Sequence, residues 1–190
     1  DKVLLSQTEG ENLLRWLVRH GAEINPHSHE SGGYNYADVA HLIEQCGVSV
    51  APVVGGHIWD HTSQAYSDWP RFVGGLRGER SPDTTWTPTL LAGGSTFGHQ
   101  NEQVYTGVWR PTERAFFTHD PAGTMVAIGN LDASPRQLDP FLQQLEAGEV
   151  PAGMYTASLD LQAYEAEKGG YVEGPMAELV AGLLAHGDTL

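Results

Sequence analysis

Two imidazoles stand two residues apart in Gly21-Ala-Glu-Ile-Asn-Pro-His27-Ser28-His29-Glu30. In extended backbone the side chains at i and i+2 point the same way, so His27 and His29 can face one ion or one substrate together. Neutral imidazole is a good ligand for Zn2+, and Glu30 adds a carboxylate beside the pair. A second cluster, Gly55-Gly56-His57-Ile-Trp59-Asp60-His61, follows an apolar run. There His57, Asp60 and His61 offer a metal ligand or a proton-transfer group, Trp59 a face for stacking a sugar, and the glycines a close backbone approach to a ligand. The third is Trp109-Arg110-Pro111, where a fixed guanidinium could orient a carboxylate or a substrate oxygen. Plainer roles stand beside each. Loop histidines cap backbone groups, Trp59 packs like any tryptophan, and Arg110 stacks on Trp109 or pairs with one of many acids.

Helix and strand patterns place these residues. Thr8 to Gly21 reads as a helix, with Thr8 as N-cap, Glu11 completing a capping box, Leu13, Leu14, Leu17 and Val18 on one face, and Gly21 as the stop. Ala22 to Asn25 reads as a short strand that delivers His27 at its carboxyl end. Asn35 caps a second helix with Asp38 in its first turn, and Val39, Leu42, Ile43 and Cys46 recur at helical spacing up to Gly47. Val48 to Val54 is a continuous apolar run, the mark of a strand covered on both faces, and it delivers the second cluster. Beyond it the spacing predicts a short helix at Trp69 to Val73 and strands at Thr85 to Leu91, Thr106 to Arg110, Ala115 to Thr118 and Thr124 to Gly129. Asp120 to Gly123 reads as a turn. Asp139-Pro140 opens a helix with Phe141, Leu142 and Leu145 inward, Met154 to Leu161 is a strand, and Pro175 to His186 a last helix.

Alternating helix and strand predicts α/β architecture with a mainly parallel sheet, open or closed as a distorted or incomplete β/α barrel. A length of 190 residues predicts a single domain over residues 1–190, cut within the pattern at one or both ends. Parallel α/β folds gather their sites at the carboxyl ends of strands, where both histidine clusters are placed. The net charge of −14 and the lack of a Lys/Arg run disfavour nucleic acid as a partner. No apolar run approaches the length of a bilayer span. One cysteine, Cys46, excludes an intrachain disulfide framework and a cysteine-rich zinc site. Tyr34, Tyr36, Tyr66 and the tryptophans from Trp59 to Trp109 concentrate aromatic surface in one stretch, which suits a carbohydrate cleft, although core packing accounts for much of it. His20 and His41 fall on helices and are expected to face solvent; His99, His119 and His186 are isolated.

Gly21-Ala-Glu23-Ile24-Asn-Pro-His27-Ser28 resembles the second motif of the polysaccharide deacetylase family, a Gly-x-Glu-Ile-Gly-x-His-Ser/Thr-x-x-His sequence that ends a barrel strand and supplies two histidine ligands. His27 matches the first ligand. The second would fall at Ser31, and His29 takes its place in a His-Ser-His-Glu variant. Trp109-Arg110-Pro111 resembles the family's Arg-Pro motif, and Leu183 to Leu190 its last helix and final strand. The resemblance implies an incomplete parallel barrel and a divalent ion, Zn2+ foremost, held by His27 and His29. It implies removal of acetyl groups from a carbohydrate and a secreted or cell-envelope protein. It also implies that Arg110 orients a catalytic carboxylate. Glu30, His57 and Asp60 are the candidate proton-transfer groups; Tyr34, Trp59 and Trp109 are the candidate sugar contacts. The family's first motif, a strand ending in paired aspartates, is not found in Asp1 to Gln7, which places it upstream of Asp1 or marks it as lost; Met154 to Leu161 carries no closing histidine motif. Two other metal readings share the histidines. Gly21-x5-His27-x-His29 matches the opening of a cupin motif, but here it lies between helices and its second half is missing. A His-x-His strand end also opens amidohydrolase-type barrels.

Overall fold

The two glycines after the apolar run Val48 to Val54 explain much of how this chain folds. Val53–His57 forms strand β3, which pairs in parallel with β6 (Leu90–Gly93), Val54 opposite Leu91 and His57 opposite Gly93. The register slips by a residue between those partners, so Gly55-Gly56 forms a bulge, with Gly56 at φ +67°. That bulge turns out to face the histidine loop. The computed structural model describes residues 6–30, 32–57, 68–93, 107–129, 131–132, 135–149, 156–158 and 181.

The chain divides into two compact units, Asp1–Gly93 with Trp109–Ala127, and Gly94–Val108 with Ile128–Leu190. The first opens with a hairpin of β1 (Gln7–Thr8) and β2 (Glu11–Asn12), turned by Glu9 and Gly10, both at positive φ. Helix α1 (Leu13–Arg19) follows directly, its N-cap Asn12 accepting from Leu14 N at 2.9 Å. The predicted N-cap at Thr8 is therefore four residues early. Glu11, assigned to a capping box, instead pairs with Arg19. Gly21 ends the helix at φ +93°, as its type requires. Helix α2 (Tyr36–Gln45) begins with the predicted Asn35–Asp38 capping box, both reciprocal bonds being present. Its buried apolar residues are Tyr36, Ala37, Ala40 and Ile43, with Cys46 buried at its C-cap; of the predicted stripe, Ile43 and Cys46 lie inward and Val39 and Leu42 are half-buried.

The main sheet is mixed and four-stranded, in the order β3-β6-β10-β7, where β7 is Val108–Trp109 and β10 is Val126–Ile128. Around it lie a one-turn 3-10 helix at Trp69–Phe72 and two antiparallel pairs: β4 (Leu76–Arg77) with β5 (Thr85–Trp86), and β8 (Pro111–Thr112) with β9 (Ala115–His119). Tyr36, Val54, Phe72, Leu91, Phe116 and Ala127 are among the buried residues that join into one core.

This overturns the predicted mainly parallel sheet and the incomplete β/α barrel. A barrel needs a helix between successive parallel strands, and between β3 and β6 the described residues supply a 3-10 turn and an antiparallel pair instead. Prolines account for part of it. Pro52, which has no N–H to donate, delays β3 to Val53, and Thr87-Pro88 splits the predicted strand Thr85 to Leu91 into β5 and β6.

In the second unit, β11 (Leu131–Asp132) and β12 (Ala157–Ser158) pair in parallel, with α3 (Pro135–Glu146) between them in sequence. Leu138, Phe141 and Leu142 are buried on it. The helix starts at Pro135 rather than at Asp139, so Pro140 lies inside it. The predicted helix Pro175 to His186 lies outside the described residues, apart from Ala181. No helix among the described residues is long and apolar enough to cross a membrane.

Candidate functional site

Between α1 and α2 the chain is extended rather than a regular strand. Ala51 N donates to Ile24 O and Gly55 N to Pro26 O, each at 3.0 Å, which lays Ile24–Pro26 alongside Ala51–Gly55 and so beside the first half of β3. Pro26 is fully buried, and the histidine loop emerges directly after it. The rings of His27 and His29 meet edge to face, centroids 4.9 Å apart and planes at 85°. Both residues are exposed.

The Gly55 carbonyl organises the loop. His27 Nδ1 lies 2.7 Å from it; a carbonyl can only accept, so Nδ1 carries the proton and the lone pair is left on Nε2. The Tyr36 hydroxyl donates to the same oxygen at 3.4 Å. The Tyr36 pKa is pushed up to about 12, by burial first and then by the Glu30 carboxylate, against a backbone hydrogen bond from Ser28 and the Arg71 charge. The phenol is therefore a neutral donor throughout the physiological range. The glycines matter because a Cβ at Gly56 would overlap His27 Nδ1 and stand 2.6 Å from its Cε1, while one at Gly55 would stand 2.9 Å from Pro26 O. The sequence assigned them to close approach by a ligand; what approaches is the His27 ring and the backbone that carries it.

Ser28 Oγ donates to Tyr34 O at 2.6 Å and accepts from Glu30 N at 2.9 Å. Glu30 is held at φ +56°, a left-handed conformation that costs a residue with a Cβ about 1–3 kcal/mol. Its Oε2 pairs with Arg71 Nη2 at 2.7 Å, and Arg71 Nε lies 3.1 Å from Asp68 Oδ2. The other oxygen, Oε1, is buried and has no hydrogen-bond partner among the described residues.

Tyr36 and Arg71 are the site residues that sequence reasoning missed. Tyr36 was counted only as part of the aromatic stretch, and Arg71 lies 41 residues from the carboxylate it binds. The predicted second cluster is reached only in part. His57 ends β3 in backbone, and its side chain, with Trp59, Asp60 and His61, lies outside the described residues.

Arg110 is elsewhere in its bonding. Its guanidinium donates to Pro121 O at 3.0 Å, and its backbone N–H to His119 Nδ1 at 3.2 Å. That partner is a turn carbonyl and not a carboxylate. Trp109 is half-buried against Phe116 and Phe117, at 5.8 and 6.1 Å, with its indole N–H given to Phe116 O at 2.7 Å. Trp69 and Trp86 are core residues. Tyr34 is exposed, with the Arg80 guanidinium 5.6 Å from its ring centre. His41, expected at the surface, is half-buried, its Nδ1 3.1 Å from Thr84 Oγ1.

No group of three or more His, Cys, Asp or Glu side chains suited to a metal gathers among the described residues. The donor set present is thus two imidazoles, with Glu30 Oε2 turned to Arg71. Compared with protein-family models, with the curated proteins and with the solved structures, the chain matches none.

Proposed function

We propose that the His27–Glu30 loop is the reaction centre of a metal-dependent hydrolase that removes acetyl groups from a carbohydrate. The observation that carries this reading is the bond from His27 Nδ1 to Gly55 O. A metal-ligating histidine is commonly fixed in this way, its second ring nitrogen donating to a carbonyl so that the other keeps its lone pair. His29, edge to face with it, adds the second imidazole. A divalent ion held there would polarise the acetyl carbonyl and lower the pKa of bound water. These two residues fit two of its ligands; Asp60 and His61, which follow β3 in sequence, lie outside the described residues. The acetylated sugar rests on the resemblance of Gly21–Ser28 to the second deacetylase motif.

The chain's own groups have separate tasks in this reading. Glu30 takes the proton of the attacking water on Oε1, because Oε2 is committed to Arg71. Arg71, shared with Asp68, holds that carboxylate in place. Tyr36 donates to the Gly55 carbonyl beside His27 and stays neutral, its pKa being pushed up to about 12. Ser28 is not the nucleophile, since its hydroxyl proton is given to Tyr34 O. A non-catalytic glycan-binding domain built on tryptophans is the weaker reading, because Trp69 and Trp86 are spent on the core and Trp109 on the Phe116–Phe117 cluster.

The test is metal content and acetate release, measured together on an acetylated glucosamine oligomer. Wild type should retain a divalent ion and release acetate, and His27→Ala and His29→Ala should each lose both. A strong chelator should stop wild-type turnover, and zinc should restore it. Turnover that survives chelation and His27→Ala would overturn the proposal.

A further inference from the structure

We infer that Tyr34, backed by Arg80, is a stacking subsite that makes this centre selective for a chain of sugars over a single one. The inference deepens the hydrolase reading and rests on it for the kind of ligand. It is carried by the way an exposed aromatic is immobilised. Tyr34 is 47 % exposed, one of few large hydrophobic side chains left open in the described residues. An exposed tyrosine on a glycine-rich segment would ordinarily be mobile, and Gly32 and Gly33 precede it at φ +96° and +74°.

Here three restraints hold it. Its carbonyl accepts from Ser28 Oγ, the residue between the two histidines, at 2.6 Å. The Arg80 guanidinium donates to Gly33 O at 3.0 Å and to Gly32 O at 3.4 Å. The same guanidinium sits 5.6 Å from the centre of the Tyr34 ring, within cation–π range. Arg80 is itself anchored, since its backbone N–H and those of Glu79 and Ser81 all donate to the buried Asp38 carboxylate.

The result is an ordered backbone beneath the ring, a cation over one of its faces, and about half of the residue open to water. Such a ring suits the C–H face of a pyranose, which is weakly electropositive and stacks on aromatic rings. A platform ordered before the ligand arrives spares the entropy of ordering it at binding. Its tie to Ser28 sets it beside the reaction centre, so a sugar on Tyr34 would be a neighbour of the sugar being deacetylated. Arg80 is a positioning residue in this scheme.

The experiment is calorimetric titration of the intact chain with N-acetylglucosamine and with its tetramer, in zinc and after chelation, beside acetate release from both. Wild type should prefer the tetramer. Tyr34→Ala should cut that preference roughly tenfold and Tyr34→Phe should keep it; Arg80→Ala should cut it by about threefold. Because Tyr34 is exposed, its replacement does not threaten the fold, and circular dichroism verifies this. A Tyr34→Ala protein with the wild-type ratio of tetramer to monomer affinity would overturn the inference, as would a wild type without that ratio. Failure of the hydrolase reading looks different: no ion and no acetate release, with the chain-length preference and its dependence on Tyr34 intact.

Discussion

The histidine loop and the hairpin around Arg110 both belong to the first unit, and both were nominated from sequence, yet they are built in opposite ways. The loop is tied to distant parts of the chain: His27 to Gly55, Glu30 to Arg71, Gly33 to Arg80. The hairpin is tied to itself, with Trp109 bonded to Phe116, Arg110 to Pro121 and Thr112 to Ala115. Local bonds suffice to shape a turn. Bonds across more than 25 residues of separation are entropically costly to form. In the loop they converge on polar groups that a plain connection would leave to water. This contrast, more than the residue types, separates a candidate centre from a structural corner.

The sharpest way to test the contrast is through the carboxylate that anchors the loop's support. Asp38 is almost fully buried. Burial raises its pKa, but the backbone N–H groups of Asn35, Ser81, Arg80 and Glu79 outweigh this and hold it below the usual 3.8. Asp38→Asn presents an amide N–H2 to a ring of donors and should cost about 3 kcal/mol, read by denaturant unfolding. The sign with pH follows from the depressed value. The Asp38 contribution is complete above about pH 4 and disappears as the pH falls through the lower folded value. In Asp38→Asn that part of the acid sensitivity should be missing.

Glycines give the next test, one from each region. Gly56→Ala adds a Cβ at φ +67° that overlaps the His27 ring, and should cost about 2 kcal/mol and abolish metal retention. Gly123→Ala places a Cβ 3.0 Å from Arg110 Cβ and should cost about 1 kcal/mol with metal content unchanged. Equal effects on the ion would erase the distinction between the regions. The smallest effect is expected at Arg110 itself. Arg110→Ala removes an exposed bond to a turn carbonyl, and should shift stability by less than about 0.5 kcal/mol and leave acetate release near wild type. A large loss of turnover would restore the role that the family resemblance implies for it.

What could be read from sequence was what short range decides. The Asn35–Asp38 capping box, the Gly21 and Gly47 stops, the Trp69–Phe72 turn and the Asp120–Gly123 turn are fixed by neighbours within a few residues. Thr8 failed as an N-cap because Asn12, a stronger cap, competes four residues on and Glu9-Gly10 supplies the φ that a hairpin turn needs. The barrel failed because strand pairing is long-range, and nothing in a residue's own pattern says that β4 and β5 would pair with each other instead of joining a parallel series. The site divides along the same line. His27, His29 and Glu30 are adjacent and visible, while Tyr36, Arg71 and Arg80 reach the loop only through the fold.

The central claim is that His27 is a ligand held ready by Gly55, and nitrogen NMR of the histidine side chains tests it most directly. In the metal-free protein the neutral His27 ring should carry its proton on Nδ1 and not on Nε2. Addition of zinc should move the Nε2 resonances of His27 and the ring signals of His29 together, while the Nδ1 proton stays in place. A His27 protonated on Nε2, or ring signals that ignore zinc at the concentrations that support turnover, would contradict the account.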